Sequence, residues 1–213
     1  MVSIKEIKQK VDNATINMSK KIHNDSSWFK PEENAFWIIF DKRNTPYFAH
    51  LTHEAKNDEY SLNLFEIDDT SRISENKCIG YCVFLATKIS AYIDTIIISN
   101  RHRLNLGLGS KIYDISEYIC QKRGMKIITG ELFAFSNYKT DSELRVFYKH
   151  KHFDIDDSKV FLGDGYPRLF KAFEEENISN FEKSLKFVKK DGILFNVIMP
   201  KNLEKEKSKE REI

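Results

Sequence analysis

Cysteine is scarce in this chain and badly spaced for any structural use. Cys78, Cys82 and Cys120 are odd in number and lack metal-ligand spacing. Cys78 and Cys82 would lie four residues apart on one strand, about 13 Å at strand rise, too far for a disulfide. All three read as free thiols that fill small gaps in a core. Long apolar runs are missing as well. None approaches the roughly 18–20 residues of a membrane span, and the opening Met1-Val-Ser-Ile-Lys-Glu-Ile-Lys-Gln-Lys10 is too charged for a secretory leader. The expected location is cytoplasmic. Nor does one sign of charge dominate: 34 basic against 32 acidic side chains, a net charge of +2 and a pI near 8.3 give no long-range pull toward nucleic acid or membrane. No partner of either kind is expected. His150 and His152, set between Lys149 and Lys151, face no common point and have no acidic companion, so they read as a solvated basic face and no metal is expected. Glycine is sparse too, and no pair of the eight spans G-x-x-x-x-G-K-[ST]. The third glycine of a dinucleotide fingerprint would fall on Ile112. A mononucleotide P-loop and a dinucleotide fold are thereby disfavoured.

What is present is enough apolar residue for a full core, 41% hydrophobic and 13% aromatic over 213 residues. Residues Ser3 to His23 place Ile4, Ile7, Val11, Ala14, Thr15 and Met18 on one helical face. Asn34 to Phe40, Tyr47 to His53, Glu59 to Ile67 and Cys78 to Thr87 read as strands, the last apolar on both faces and so interior. Gly80 leaves room on one face of that last strand. Thr140 or Asp141 can cap a helix running through Tyr148. Val160 to Phe173 predicts two strands about an Asp164-Gly165 turn. Asn177 to Lys190 returns to helical spacing, and Asp191-Gly192 leads to a last strand, Ile193 to Met199, stopped by Pro200. Internal repeats are absent, and residues 201–213 form a charged tail.

The most informative stretch is Ala91 to Gly124. A β-branched strand, Ser90 to Ser99, runs through a turn, Asn100 to Leu106, into Gly107-Leu-Gly109 and a helix from Ser110 to Arg123. A second buried strand follows, Met125 to Phe135. The first amides of a helix lack internal partners and carry about half a positive charge, and glycines let that backbone approach phosphate oxygens. An anionic ligand is implied.

Here the chain resembles the GNAT superfamily of acyl-CoA-dependent N-acyltransferases, whose turn reads [RQ]-x-x-G-x-[GA]. Gly107 and Gly109 fill the two small positions, while the leading Arg/Gln position falls on Leu104. Either Arg103, one residue earlier, takes that role, or backbone amides from Leu106 through Gly107, Leu108 and Gly109 to Ser110 hold the phosphates. Leu144-Arg-Val-Phe-Tyr148-Lys-His-Lys-His152-Phe153 is similar to the family's A-x-x-x-Y-x-x-x-G-F, with His152 in the glycine position. The two motifs span about a third of the chain. The resemblance implies an α/β fold, a GNAT-like mixed, mostly antiparallel central sheet flanked by helices. It implies one domain over residues 1–200 with a core of about 45–173, an N-terminal helical extension and a C-terminal helix–strand addition.

The same resemblance implies acetyl-CoA as cosubstrate and an amine, on a small molecule or a protein, as acceptor. Backbone groups near Ile96 and Ile98 would pair with pantetheine, since in this family that strand splays from the next, and Asn137 or Asp141 would touch the pantetheine arm. Tyr148 would protonate the leaving thiolate. Asp94, the one ionisable group in an otherwise apolar strand, is the first candidate base, expected to be raised by burial, and Glu131 the second. The competing readings are structural: Asp94 as a strand acid paired with a cation such as Lys88, and Tyr148 as part of a core-facing stripe. The alternative function is a degenerate CoA-binding or interaction module on the same fold. The oligomeric state, monomer or homodimer, is left open.

Overall fold

The computed structural model describes residues 3–24, 35–67, 78–98, 105–133, 140–161 and 165–200. Ten strands form one sheet. In chain order they are β1 Phe36–Phe40, β2 Pro46–Glu54, β3 Glu59–Glu66, β4 Cys78–Ala86, β5 Ser90–Ile98, β6 Ile127–Glu131, β7 Asp154–Asp156, β8 Arg168–Ala172, β9 Leu185–Lys190 and β10 Ile193–Ile198. The helices are α1 Ile4–Asn24, α2 Leu108–Lys122, α3 Asp141–His150, α4 Ser158–Phe161 and α5 Glu175–Ser184. The spatial order is β7-β8-β6-β5-β4-β3-β2-β1-β10-β9. Every neighbouring pair is antiparallel except β1 with β10 and β5 with β6. Among the described residues no helix is long and apolar enough to cross a membrane.

Two apolar layers lie on opposite faces of this sheet. Alternation along β1 sends Trp37 and Ile39 to one cluster, and Phe36, Ile38 and Phe40 to the other, as the period of two along a strand requires. The first cluster is closed by α2 through Leu108, Ile112, Ile115, Ile119 and Cys120. The second is closed by α1, whose Ile7, Val11, Met18 and Ile22 lie against Phe195 and Val197 of β10. Each of these large side chains contributes roughly 1.5–3 kcal/mol on burial, and this apolar face holds α1 on the sheet while its polar back meets water.

Two sequence expectations change near the C-terminal end. The hairpin expected over Val160 to Phe173 is instead β7 with β8, in register Ile155↔Leu169. The short helix α4 occupies Ser158–Phe161, where the first strand was expected, and Asp164 lies outside the described residues. The helix expected to run to Lys190 stops at Ser184, and β9 takes Leu185–Lys190. The cause is the Asp191-Gly192 turn, with φ of 48° and 83°. Two successive left-handed residues match the twist of a tight hairpin, so β9 folds back on β10 and pairing outcompetes helical periodicity.

Candidate functional site

β5 is paired on both sides over only part of its length. With β6 it is in register from Ser90↔Ile127 to Ile93↔Gly130, and there the parallel pairing stops. With β4 it continues to Gly80↔Ile98. The register with β4 slips between Val83↔Thr95 and Phe84↔Ile93, leaving Asp94 without a partner residue. A bulge at Asp94 thus coincides with the end of pairing to β6. Bulges bend a strand and raise its local twist, so this one turns Thr95–Ile98 away from β6. The strands lie close at the last pair before they part: a Cβ built on Gly130 would stand 3.1 Å from the Ile93 carbonyl oxygen. Among the described residues, Thr95–Ile98 has ladder partners only in β4, and Ile96 and Ile98 are half-buried.

The glycine turn sits at the far end of that strand. Gly107 is the residue before α2, at φ 82° and ψ 6°, and no side chain caps the helix. Only glycine adopts this φ without strain. Intrahelical bonding begins with the Lys111 amide donating to the Gly107 carbonyl at 3.1 Å, so the amides of Leu108, Gly109 and Ser110 are the unpaired ones that every helix start presents. Gly107 and Gly109 are both half-exposed. A Cβ on Gly109 would meet Ile98 Cγ1 at 3.7 Å, ordinary contact, which places the helix start directly beside the open end of β5. The β1–β2 turn also reaches this point. The Lys42 amide donates to the Leu106 carbonyl at 3.0 Å.

Gly80 corrects an expectation. A Cβ there would lie 2.6 Å from the Ile97 carbonyl oxygen and 2.6 Å from Ile98 Cδ1. The space it leaves is filled by β5 itself and is not open to a ligand.

Tyr148 lies on α3, whose start is fixed by a capping box. Thr140 Oγ1 accepts from the Glu143 amide, and the Glu143 carboxylate accepts from the Thr140 amide. The expected cap is therefore Thr140. Asp141, the other candidate, is exposed and accepts from Arg145 Nε at 2.7 Å, and Arg145 also grips Asp157 at 2.7 and 3.0 Å. Tyr148 is 8% exposed and stands edge-on to Phe147 and Phe153. Burial raises its phenol, and the neighbouring Cys82 thiol adds to that. Cys82 pairs with Ile96 across β4 and β5, and Tyr148 and Cys82 belong to one apolar cluster against which Ile96 and Ile98 pack. Burial pushes the Cys82 thiol itself up to about 12, which makes it inert.

The two candidate bases behave differently from expectation. Asp94 is exposed, its carboxylate accepting from Thr95 Oγ1 at 3.0 Å, because the bulge turns it out of the ladder. It is not the buried strand acid that was expected. Glu131 is exposed at the end of β6. Both carboxylates nevertheless act on one group: the Tyr92 phenol is raised by burial first, then by Glu131 and Asp94. Tyr92 was not singled out from the sequence, although its place two residues before Asp94 is the available signal. Arg103, Leu104 and Asn137 lie outside the described residues.

No family model matches the chain, and no curated protein matches it. Solved structures do. The PaiA N-acetyltransferase of Thermoplasma acidophilum, in complex with coenzyme A, is 15% identical over 55% of this chain and 62% of its own, with a TM-score of 0.41. Ard1 of Thermoplasma volcanium is 15% identical over 57% and 74%, with a TM-score of 0.40. The anti-CRISPR protein AcrVA5 is 19% identical over 46% of this chain and 94% of its own, with a TM-score of 0.36. Strand, glycine turn, helix and parallel strand, with the two strands parting beyond a bulge in an otherwise mostly antiparallel sheet, make the fold of this chain GNAT-like.

Proposed function

We propose that this protein is an N-acetyltransferase that moves the acetyl group of acetyl-CoA to a primary amine of a small molecule or a protein. The observation that carries the reading is the adjacency of three features. These are a strand segment, Thr95–Ile98, paired with β4 but not with β6, an uncapped glycine-bearing helix start beside its end, and Tyr148 in the apolar cluster against which Ile96 and Ile98 pack.

The amides of Leu108, Gly109 and Ser110 suit an anionic diphosphate, and Gly107 and Gly109 allow the close approach. The free backbone groups of β5 suit the amides of a pantetheine arm, which would add to the sheet as a short strand. That path brings a thioester next to Tyr148. The amine nitrogen bonds to the acyl carbon as the carbon–sulfur bond breaks. Tyr148 supplies the proton that the leaving sulfur takes up, and its raised pKa keeps it protonated for that purpose. An alkylamine has a pKa near 10.4 and is almost wholly protonated at neutral pH. Asp94 and Glu131, both near enough to Tyr92 to raise its phenol, are the candidates to receive its proton, directly or through water.

Release of free thiol from acetyl-CoA is followed with a panel of amines. Turnover with wild type, and a loss of about 10²–10⁴ in kcat with unchanged cofactor affinity for Tyr148→Phe, supports the reading. A thermal shift with acetyl-CoA reads binding separately, since ligand at a hundred times Kd adds about 2.7 kcal/mol. Binding without turnover on any amine would favour a CoA-binding module, and no binding at millimolar acetyl-CoA would end both readings.

A further inference from the structure

We infer that Lys42, from the turn between β1 and β2, is a ligand of the diphosphate of coenzyme A; this rests on the acyl-CoA reading above. The turn is built to hold its shape. Asp41, 5% exposed, accepts the Arg43 and Thr45 amides on Oδ1, both at 2.8 Å. The Asp41 amide donates to the Thr45 carbonyl at 3.0 Å, and Asn44 takes the left-handed conformation at φ 61°. Lys10 Nζ donates to the Asn44 carbonyl at 2.7 Å and ties the turn to α1. Lys42 is thus carried on a rigid hairpin rather than a loose loop.

That hairpin is fastened to the glycine turn by the bond from the Lys42 amide to Leu106. The side chain then runs along Gly107. A Cβ built on Gly107 would stand 3.6 Å from Lys42 Cγ and 3.5 Å from Lys42 Cε. The ammonium, one bond beyond Cε, is thereby within reach of the head of α2. Lys42 is exposed, and its ammonium has no hydrogen bond or ion pair among the described residues.

The placement is electrostatically wrong unless an anion is present. The start of a helix carries roughly half a positive charge, and the first turn of α2 has no acidic residue to offset it. A rigid turn that sets an unpaired lysine against that positive end costs stability, and a diphosphate between the ammonium and the amides reverses the sign. The arrangement also answers the departure at Leu104. The side-chain donor that the family's turn draws from its own Arg or Gln is supplied here from a hairpin more than sixty residues earlier.

Affinities of the full-length protein for coenzyme A and for dephospho-coenzyme A, which keeps the diphosphate and lacks the 3′-phosphate, are measured for wild type, Lys42→Ala and Lys42→Arg. Unliganded melting curves check folding, which the exposed and unpaired ammonium should leave intact. The expected result is a loss of about 10- to 100-fold for Lys42→Ala, equal for the two ligands and largely restored by Lys42→Arg. Wild-type binding with unchanged affinity in Lys42→Ala would overturn the inference while leaving the acyl-CoA reading in place. So would a loss confined to coenzyme A, which would put Lys42 on the 3′-phosphate. Absence of wild-type binding would overturn the acyl-CoA reading, and this inference with it.

Discussion

The Phe153 amide donates to the Tyr148 carbonyl at 3.0 Å, closing α3 across His152, which stands at φ 62°. The His152 amide donates to Lys149, also at 3.0 Å, and the rings of Tyr148 and Phe153 meet edge-on at 5.3 Å. These are the two bonds and the apolar contact of a Schellman end, whose left-handed residue is ordinarily glycine. A histidine in that conformation is strained by roughly 1–2 kcal/mol, partly offset by the entropy a glycine adds to the unfolded chain. His152→Gly should therefore stabilise the protein by about 0.5–1 kcal/mol in urea denaturation. A destabilised variant would show that the histidine ring makes a compensating contact.

The glycines of β4 and α2 should respond oppositely to alanine. Gly80→Ala pushes a methyl into the Ile97 carbonyl oxygen and Ile98 at 2.6 Å, and should cost about 1–3 kcal/mol through forced displacement of β5. Gly109→Ala meets only Ile98 at 3.7 Å and gains helix propensity, by at most about 1 kcal/mol. The turn [RQ]-x-x-G-x-[GA] accepts alanine at this position, so the variant should fold at least as well as wild type and keep its affinity for coenzyme A, whereas Gly109→Val, whose branched side chain crowds the helix amides, should bind less tightly. Calorimetric titration of both folded variants checks this, and unchanged affinity in Gly109→Val would remove Gly109 from the cradle.

Much of this fold was legible because strand period and turn chemistry agree locally. β1 to β5, α1, α3 and β10 fall within a few residues of the expected segments. Leu185 to Lys190 misled because Leu185 and Val188 fit helical spacing while the pairing that overrides it depends on β10, which is specified only afterwards. The parting of β5 from β6 was expected from family resemblance alone, and the bulge at Asp94 that accompanies it leaves no mark in an apolar run. Lys42 was out of reach for another reason. Its partner, Leu106, is distant in the chain, and only the assembled sheet brings the β1–β2 hairpin to the head of α2.

Beneath α2 lies a charge pair that the chemistry does not use. Lys171 Nζ of β8 lies 2.6 Å from Glu117 Oε1, the side chains 5% and 11% exposed. Removing one partner strands a buried charge, at about 3–5 kcal/mol, whereas replacing both by apolar groups is often neutral. Lys171→Met should be strongly destabilising alone, and Glu117→Leu in the same chain should recover most of the loss. A double-mutant cycle by denaturant unfolding measures the coupling, and additive single effects would refute a paired state.

His50 gives the stability a dependence on acid. Its ring is 5% exposed, stacked on Phe36 at 5.3 Å and near-parallel to Phe48 at 6.4 Å. Burial lowers its pKa from 6.5 to about 4. Because the folded value is the lower one, the unfolded chain binds the proton more readily between these two values, and stability falls as pH drops through that window. A gap of about 2.5 pH units at roughly 1.36 kcal/mol each is about 3 kcal/mol, fully present above pH 6.5 and lost by about pH 4. Carboxylates such as Asp157, held low by Arg145, add a separate acid limb at lower pH. The difference between wild type and His50→Phe isolates the histidine: whatever the substitution costs at pH 7, the variant should lose less stability than wild type between pH 7 and pH 4. Parallel curves over that range would mean that the ring takes up its proton in the folded state without penalty.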